Sequence, residues 1–367
     1  MFESRIKQLQ EDLSKFDIES LLITSPYNIA YLTGIHAFSI EEREARILVT
    51  KLDAMLFTDA RYTQMVKDMA PFITLVEISA QNSFVTAVTD YLKSNIIKTM
   101  GFEEDNISYK EIADIEEKTN GTDLTPTFDI VEGLREIKDN KEVESIRKAC
   151  ALSDRAFEYI KQEIKPGETE LEVKTKLENY IRNNGGKLSF DSIVAFGKNS
   201  AIPHHMSNGT ILSQNDIVLL DFGAKVDGYC SDMTRTVFVG QPSEELTRIY
   251  AATKEAQEVA IDCLKTHMKE DFESKKPAEL ANSHLKALGF SDIPHGLGHG
   301  VGLQVHENPS LSPLTDDKLM PGMIVTVEPG VYMVNAGGVR IEDTVLITMD
   351  GIESLTNSPK EMTVIQP

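Results

Sequence analysis

Ile217-Val218-Leu219-Leu220-Asp221-Phe222-Gly223-Ala224-Lys225-Val226-Asp227-Gly228-Tyr229-Cys230-Ser231-Asp232-Met233-Thr234-Arg235-Thr236-Val237-Phe238 reads as two apolar strands around a turn, each carrying an aspartate where burial is expected. Lys225-Val226-Asp227-Gly228 supplies the turn. A turn centred between Val226 and Asp227 sets Asp221 directly opposite Asp232; one on Asp227-Gly228 shifts that register. Like charges facing each other across a ladder repel, and ionised carboxylates buried without a partner are very costly. A cation between them resolves both problems. The plainer reading, two solvated aspartates at strand ends, fits poorly with Ile217–Leu220 before Asp221 and Phe222 after it.

The same theme recurs further along the chain. Glu328 ends the apolar run Ile324–Val327 and precedes Pro329, which keeps it extended. Glu342 lies in Val339-Arg340-Ile341-Glu342-Asp343-Thr344, and Gly330, Gly337 and Gly338 let the chain return between the two. Between these pairs stands His295-Gly296-Leu297-Gly298-His299-Gly300-Val301-Gly302, followed by His306-Glu307. Four alternating glycines argue against a helix and for a loop or strand with close backbone approach. The pattern is neither a GxGxxG phosphate loop nor an HExxH helix, since Pro309 interrupts the segment after His306-Glu307. Asp221, Asp232, His299, Glu328 and Glu342 form an oxygen-rich donor set with one imidazole. Such a set suits two divalent cations sharing bridging oxygens, manganese first, with cobalt, iron or zinc as alternatives.

The bulk composition is compatible with this. A chain of 367 residues, 41% hydrophobic, fits two domains. Its 37 basic against 58 acidic residues, a net charge of −21, lack the basic face that a nucleic-acid partner needs. No apolar run reaches membrane length, and Met1–Gln10 is charged and amphipathic rather than a signal peptide; the expectation is a cytoplasmic protein with no membrane partner. Cys150, Cys230 and Cys263 are scattered, which argues for a reduced compartment and against a disulfide framework.

Ile6, Leu9, Leu13 and Phe16 mark a first helix. Strands at Ser20–Thr24, Arg46–Thr50, Ala54–Phe57 and Thr74–Ile78 alternate with helices at Tyr62–Met69 and Phe84–Lys93, with a break at Ser25-Pro26. This predicts an α/β N-terminal domain over residues 1–130. The charged stretch 131–141 reads as a linker. Residues 142–367 form an α+β domain with a curved, mostly antiparallel sheet. Its helices run from Val143 to Pro166-Gly167, from the capping box Thr169-Glu170-Leu171-Glu172 to Asn183-Asn184-Gly185-Gly186, then over Glu244–Met268 and Pro277–Leu288.

Pro203-His204, Asp221-Phe222-Gly223-Ala224, Asp232-Met233-Thr234-Arg235-Thr236, His299-Gly300-Val301-Gly302, His306-Glu307, Glu328-Pro329-Gly330 and Arg340-Ile341-Glu342-Asp343-Thr344 together resemble the pita-bread metallopeptidases. The resemblance is specifically to the branch of Xaa-Pro aminopeptidases and proline dipeptidases (prolidases). The resemblance covers the C-terminal domain throughout and reaches the creatinase-like N-terminal domain through Asn28-Ile29-Ala30-Tyr31-Leu32-Thr33-Gly34. It implies that Asp221 binds one metal, His299 and Glu328 the other, and that Asp232 and Glu342 bridge. It implies Glu328, His204 and His306 as catalytic residues, with His204 and His306 contacting substrate and the tetrahedral intermediate. His295 lines the proline side, Arg340 and Thr234 orient the ligands from behind, and His36 reaches a neighbouring subunit's site. A homodimer acting on peptides with proline at the second position is implied as well. His205 reads as a bystander, and His267 and His284 as surface or packing residues.

Some proline dipeptidases carry an arginine shortly after the His-Glu pair, where it grips the free proline carboxylate. Here Asn308-Pro309-Ser310 follows, which tilts the expectation toward an aminopeptidase, with the dipeptidase as the alternative. A metal-free creatinase-like hydrolase would replace ligands, and a non-catalytic relative would lose them; neither departure is seen. Methionine aminopeptidase is disfavoured by the sizeable N-terminal domain and by Arg340–Thr344.

Overall fold

The structure is a computed structural model and describes residues 1–39, 41–119, 121–267 and 272–366. It divides into two units, Met1–Arg135 and Glu136–Pro367. Among the described residues no helix is long and apolar enough to cross a membrane.

The first unit is built on a six-stranded mixed sheet. Its spatial order is Thr74–Ile78, Ala54–Asp59, Ala45–Thr50, Ser20–Ile23, Thr99–Glu103, Asp123–Thr127. The first four strands fall where the sequence predicts them. The last two carry little hydrophobic period: Gly101 interrupts one, and the other is a partly exposed strand at the sheet edge containing Pro126, a position that tolerates a missing N–H. Ser25-Pro26 proves to be a helix start rather than a break. Proline occupies the first turn of the helix Pro26–Thr33, and Gly34, at φ +76°, closes it. The first helix is shorter than its apolar pattern suggests: Phe2–Asp12 is followed by a single 3-10 turn, which leaves Phe16 exposed. A helix, Ile130–Glu136, occupies much of the stretch that reads as a linker.

The second unit has two principal sheets, each covered by a helix pair. Asn140–Glu163 and Glu170–Asn183 bury Phe157, Ile160, Val173 and Leu177 with Val218, Leu220 and Val237 of a four-stranded sheet. That sheet runs Thr363–Ile365, Met233–Val239, Asp216–Phe222, Ile193–Phe196. Glu244–His267 and Lys275–Ala287 pack Ile249, Ala256, Ala281 and Leu285 with Val325, Val345 and Ile347 of a five-stranded sheet. Its order is Glu307–Leu311, Gly298–Gly300, Ile324–Val327, Asp343–Thr348, Gly351–Ser354. Every pairing here is antiparallel except Met233–Val239 with Thr363–Ile365, as the mostly antiparallel expectation requires. Reciprocal capping boxes, Asp139 with Glu142 and Thr169 with Glu172, start the first helix pair. The first of these helices ends at Glu163, before Pro166-Gly167. The expected helix end at Met268 and the His267 side chain lie outside the described residues.

Candidate metal centre

The strand pair that opens the sequence reading folds in the other of its two registers. Asp227 and Gly228 both have positive φ, +51° and +86°, so they are the central residues of the tight turn. Val226 then pairs with Tyr229, and Asp221 faces Thr234 rather than Asp232. The face-to-face pairing of the two aspartates is therefore corrected to a diagonal one. Side chains alternate with period two, so Asp232, two residues before Thr234, still projects from the same face as Asp221. Gly223 falls opposite Asp232, where a Cβ would stand 2.0 Å from the Ser231 carbonyl oxygen.

The other donors come from the second sheet. His299 is central in Gly298–Gly300, Glu328 follows Ile324–Val327, and Glu342 immediately precedes Asp343–Thr348. The alternating glycines serve close backbone approach: a Cβ on Gly298 or Gly300 would lie 2.0 Å from Thr326 O or 2.1 Å from Asn308 O. The sheets are joined behind the site by Glu342 N to Thr234 O, 3.1 Å, and by the Thr344 hydroxyl donating to Asp232 O, 2.7 Å. Asp343 faces away, wholly buried, bonded to Arg235 at 2.6 Å, Lys360 at 2.7 Å and Gln257 at 2.8 Å. Burial raises its carboxyl, but the charges of Arg235 and Lys360 win and hold it at about 2.

Donor atoms of Asp221, Asp232 and Glu342 lie within 4.8 Å of one another, as do those of His299, Glu328 and Glu342, and of Asp232, His299 and His306. Each of these triads can hold an ion. His299 Nδ1 donates to the Gly300 carbonyl at 3.1 Å, which leaves Nε2, 3.3 Å from Glu328 and 3.6 Å from Asp232, as the nitrogen able to accept an ion. Burial, followed by the neighbouring carboxylates, pushes Asp232 and Glu342 well above the usual range, and Asp221 up as well although Arg340 opposes. Burial also raises Glu328, yet the bond and charge of His299 outweigh it and bring it below its ordinary value. The same contact raises His299 against the effect of burial. Asp232 Oδ1 and Glu342 Oε1 are buried and receive no hydrogen bond. Buried acceptors of that kind demand an explanation, and divalent cations fit these oxygens, which accept and cannot donate when ionised.

Arg340 braces the cluster. Its Nη2 lies 2.5 Å from Asp221, its Nε donates to Thr234 Oγ1 at 3.0 Å, and its Nη1 reaches Tyr332 OH at 2.9 Å and Pro203 O at 3.3 Å. Thr234 passes the bracing on, donating to Glu342 at 2.6 Å. Tyr332, which sequence reasoning missed, accepts from Arg340 and donates to His295 Nε2 at 2.9 Å, because His295 Nδ1 is committed to Gly296 O at 2.7 Å. Burial lowers the His295 pKa, in keeping with this neutral tautomer. One signal for Tyr332 was present: Gly338 pairs with it across the hairpin, and a Cβ there would meet its ring at 2.7 Å.

A cavity of about 530 Å³ opens over the cluster, with Phe190, Ile193, Pro203, His204, His306 and Ser310 among its walls. Burial, then the charge of His299, lowers the His306 pKa. His205 is corrected from bystander to buried partner of Glu170, 2.8 Å away. His284 is a surface residue 3.1 Å from Glu255. His36 belongs to the first unit, exposed in the loop after the helix Pro26–Thr33. Cys150, Cys230 and Cys263 are all buried and form no disulfide with one another.

Residues 144–349 match the model of metallopeptidase family M24, and residues 5–137 match the creatinase/prolidase N-terminal domain. An Xaa-Pro dipeptidase of Pyrococcus furiosus is 34% identical over 98% of this chain and 99% of its own length. Among solved structures, an Xaa-Pro dipeptidase from Bacillus anthracis superposes with a TM-score of 0.93 at 34% identity, covering 99% of this chain and 100% of that one. An X-Pro aminopeptidase from Thermotoga maritima gives 0.85 at 31%, covering 95% and 98%.

Proposed function

This chain belongs to metallopeptidase family M24, and on that premise we propose that it hydrolyses the bond preceding a proline at the second position of a peptide. The reading has Asp221, Asp232, His299, Glu328 and Glu342 hold two divalent cations, manganese first. The observation that carries it is the convergence of four carboxylates and one imidazole from two sheets, two of whose buried oxygens lack any other partner. Glu342 belongs to both a carboxylate triad and the His299 triad, which supports its role as a bridge.

When bound, such cations supply Lewis acidity and a water acidified enough to attack a carbonyl near neutral pH. The chain's own residues do the rest. A tertiary Xaa-Pro amide releases a secondary amine, so its nitrogen must gain a proton as the C–N bond breaks; Glu328 would take that proton from the attacking water and deliver it to the nitrogen. His204 and His306 present imidazole N–H groups to the developing oxyanion. Arg340 fixes Asp221, and Thr234 fixes Glu342. The apolar edge of His295, its nitrogens both engaged, lines the proline ring.

Among the described residues lining the cavity, Arg340 is the only lysine or arginine, and Asp221, Thr234 and Tyr332 already engage it. A free proline carboxylate would find no such cation there, which favours an aminopeptidase acting on peptides longer than two residues. The second reading, a dipeptidase, is favoured by the names of the Pyrococcus and Bacillus relatives. The test is hydrolysis of Xaa-Pro and Xaa-Pro-Xaa substrates side by side, after chelation and after reloading with manganese, cobalt, iron or zinc. Tripeptide cleavage restored by metal is expected. Full activity after metal removal, or none on any Xaa-Pro peptide, would refute the reading. A cytoplasmic homodimer is part of the same proposal, and light scattering on the full chain tests the dimer.

A further inference from the structure

The two histidines assigned to the substrate share an arrangement that the proposed chemistry does not use. His204 and His306 are both exposed on the cavity wall. The residue that follows each is charged or chargeable, turned inward, and paired with a distant partner.

After His204 comes His205, whose Nε2 lies 2.8 Å from Glu170 Oε2. Glu170 opens the helix Glu170–Asn183 and is wholly buried. Its Oε1 also accepts from Phe196 N and Asn199 Nδ2, each at 2.8 Å, and its Oε2 from Asn208 N at 2.9 Å. One carboxylate therefore gathers donors from both sides of His204. After His306 comes Glu307, whose Oε2 lies 3.5 Å from Lys138 Nζ, with side-chain exposures of 6% and 1%. Glu307 Oε1 accepts from Gln304 N at 2.8 Å, closing the loop before His306. Gly302 makes room for this carboxylate, since a Cβ there would stand 2.4 Å from Glu307 Oε2. Lys138 is itself fixed by its backbone N–H on Gly322 O at 2.9 Å. Sequence reading placed Lys138 in a charged linker, yet its ammonium is buried.

Buried ion pairs are poor stabilisers, because desolvation costs several kcal/mol per ion and apolar residues of the same volume often do as well. What the Lys138–Glu307 ion pair and the Glu170–His205 hydrogen bond provide is a fixed geometry, and each fixes the residue next to a cavity histidine. We propose that Glu170–His205 and Lys138–Glu307 are positioning pairs that hold His204 and His306 where a tetrahedral intermediate would meet them. This rests on the reading of those two histidines as substrate contacts.

The test uses the full chain with metal content matched between variants. His205→Leu and Lys138→Met are each expected to lower kcat on an Xaa-Pro peptide by about 10- to 100-fold. KM should move much less, as befits contacts made in the transition state. His205→Gln, which keeps an N–H for Glu170, is expected to recover most of the loss. Imidazole proton–nitrogen correlation spectra give a readout that needs no turnover. His205→Leu should perturb the His204 ring signals and spare those of His306, and Lys138→Met should do the reverse. Where Lys138→Met fails to fold, Glu307→Gln, which keeps the acceptor for Gln304, takes its place. Folded variants whose kcat stays within about threefold of the parent, with unchanged ring signals, overturn the proposal; so does a loss that only tracks the unfolded fraction. If the parent cleaves no Xaa-Pro peptide, the functional reading fails while the spectra still decide the positioning.

Discussion

Replacing Arg340 by lysine tests whether the cluster needs a fork or only a positive charge. The guanidinium serves four partners at once: Asp221, Thr234, Tyr332 and Pro203 O. An ammonium is a point charge on a flexible stem and does not reproduce that planar spread. Placed against Asp221, it forfeits the other three bonds. At about 1 kcal/mol net for each, the loss is roughly 3 kcal/mol. For a unit of this size that lowers Tm by roughly 6–12 °C. The freed groups are Thr234, which holds Glu342; Tyr332, which holds His295; and Pro203, next to His204. Activity should therefore fall beyond what stability explains, by about 10- to 100-fold in kcat/KM. The assays are calorimetric melting and steady-state hydrolysis of an Xaa-Pro-Xaa peptide at saturating metal, well below the variant's Tm. An Arg340→Lys protein that melts within about 2 °C of the parent and keeps kcat/KM within about threefold would refute the reasoning, because the charge alone would then suffice.

Asp343 makes the acid stability of the second unit testable. Its carboxyl is held at about 2, below the ordinary 3.8, so the unfolded chain takes up that proton first as pH falls. The stabilisation is complete above about pH 4 and is lost as pH drops through 2, roughly 2 kcal/mol in all. Denaturant melts between those pH values should show a shallower pH slope in Asp343→Asn than in the parent, and equal slopes would remove the claim. Gly223→Ala should be destabilising by roughly 1–3 kcal/mol, since its Cβ would meet the Ser231 carbonyl and push Asp232 aside. Gly209→Ala, with nothing within 4 Å of its Cβ, is the matched control. Equal melting temperatures for the two variants would show that the strand pair absorbs the methyl group.

Much of this protein is legible without coordinates because its chemistry is written where it should not be. Aspartates and glutamates at the ends of Val-, Leu- and Ile-rich runs demand compensation once buried, whatever the fold around them. The alternation of side chains also made Asp221 and Asp232 meet in either register. The same local logic located the capping box at Thr169 and the close-approach glycines around His299. It failed where the signal is not periodic. The edge strand at Asp123–Thr127 is polar, and the helix at Pro26 begins with a residue that elsewhere breaks helices. It failed more instructively behind the site. Lys138 reads as part of a charged linker and His205 as a bystander, and Tyr332 draws no reading at all. Charge and residue type were visible in each case, but the partner lay far along the chain for two of them, 169 residues from Lys138 to Glu307 and 35 from His205 to Glu170; Tyr332 and Arg340, eight apart, meet across a hairpin whose side-chain pairing the sequence does not display. The donors themselves were fixed by local burial and alternation, which one sequence displays. What braces them depends on which segments the two sheets bring together, and only three-dimensional packing decides that, because a hydrogen bond is set by distance in space and leaves no period in the chain.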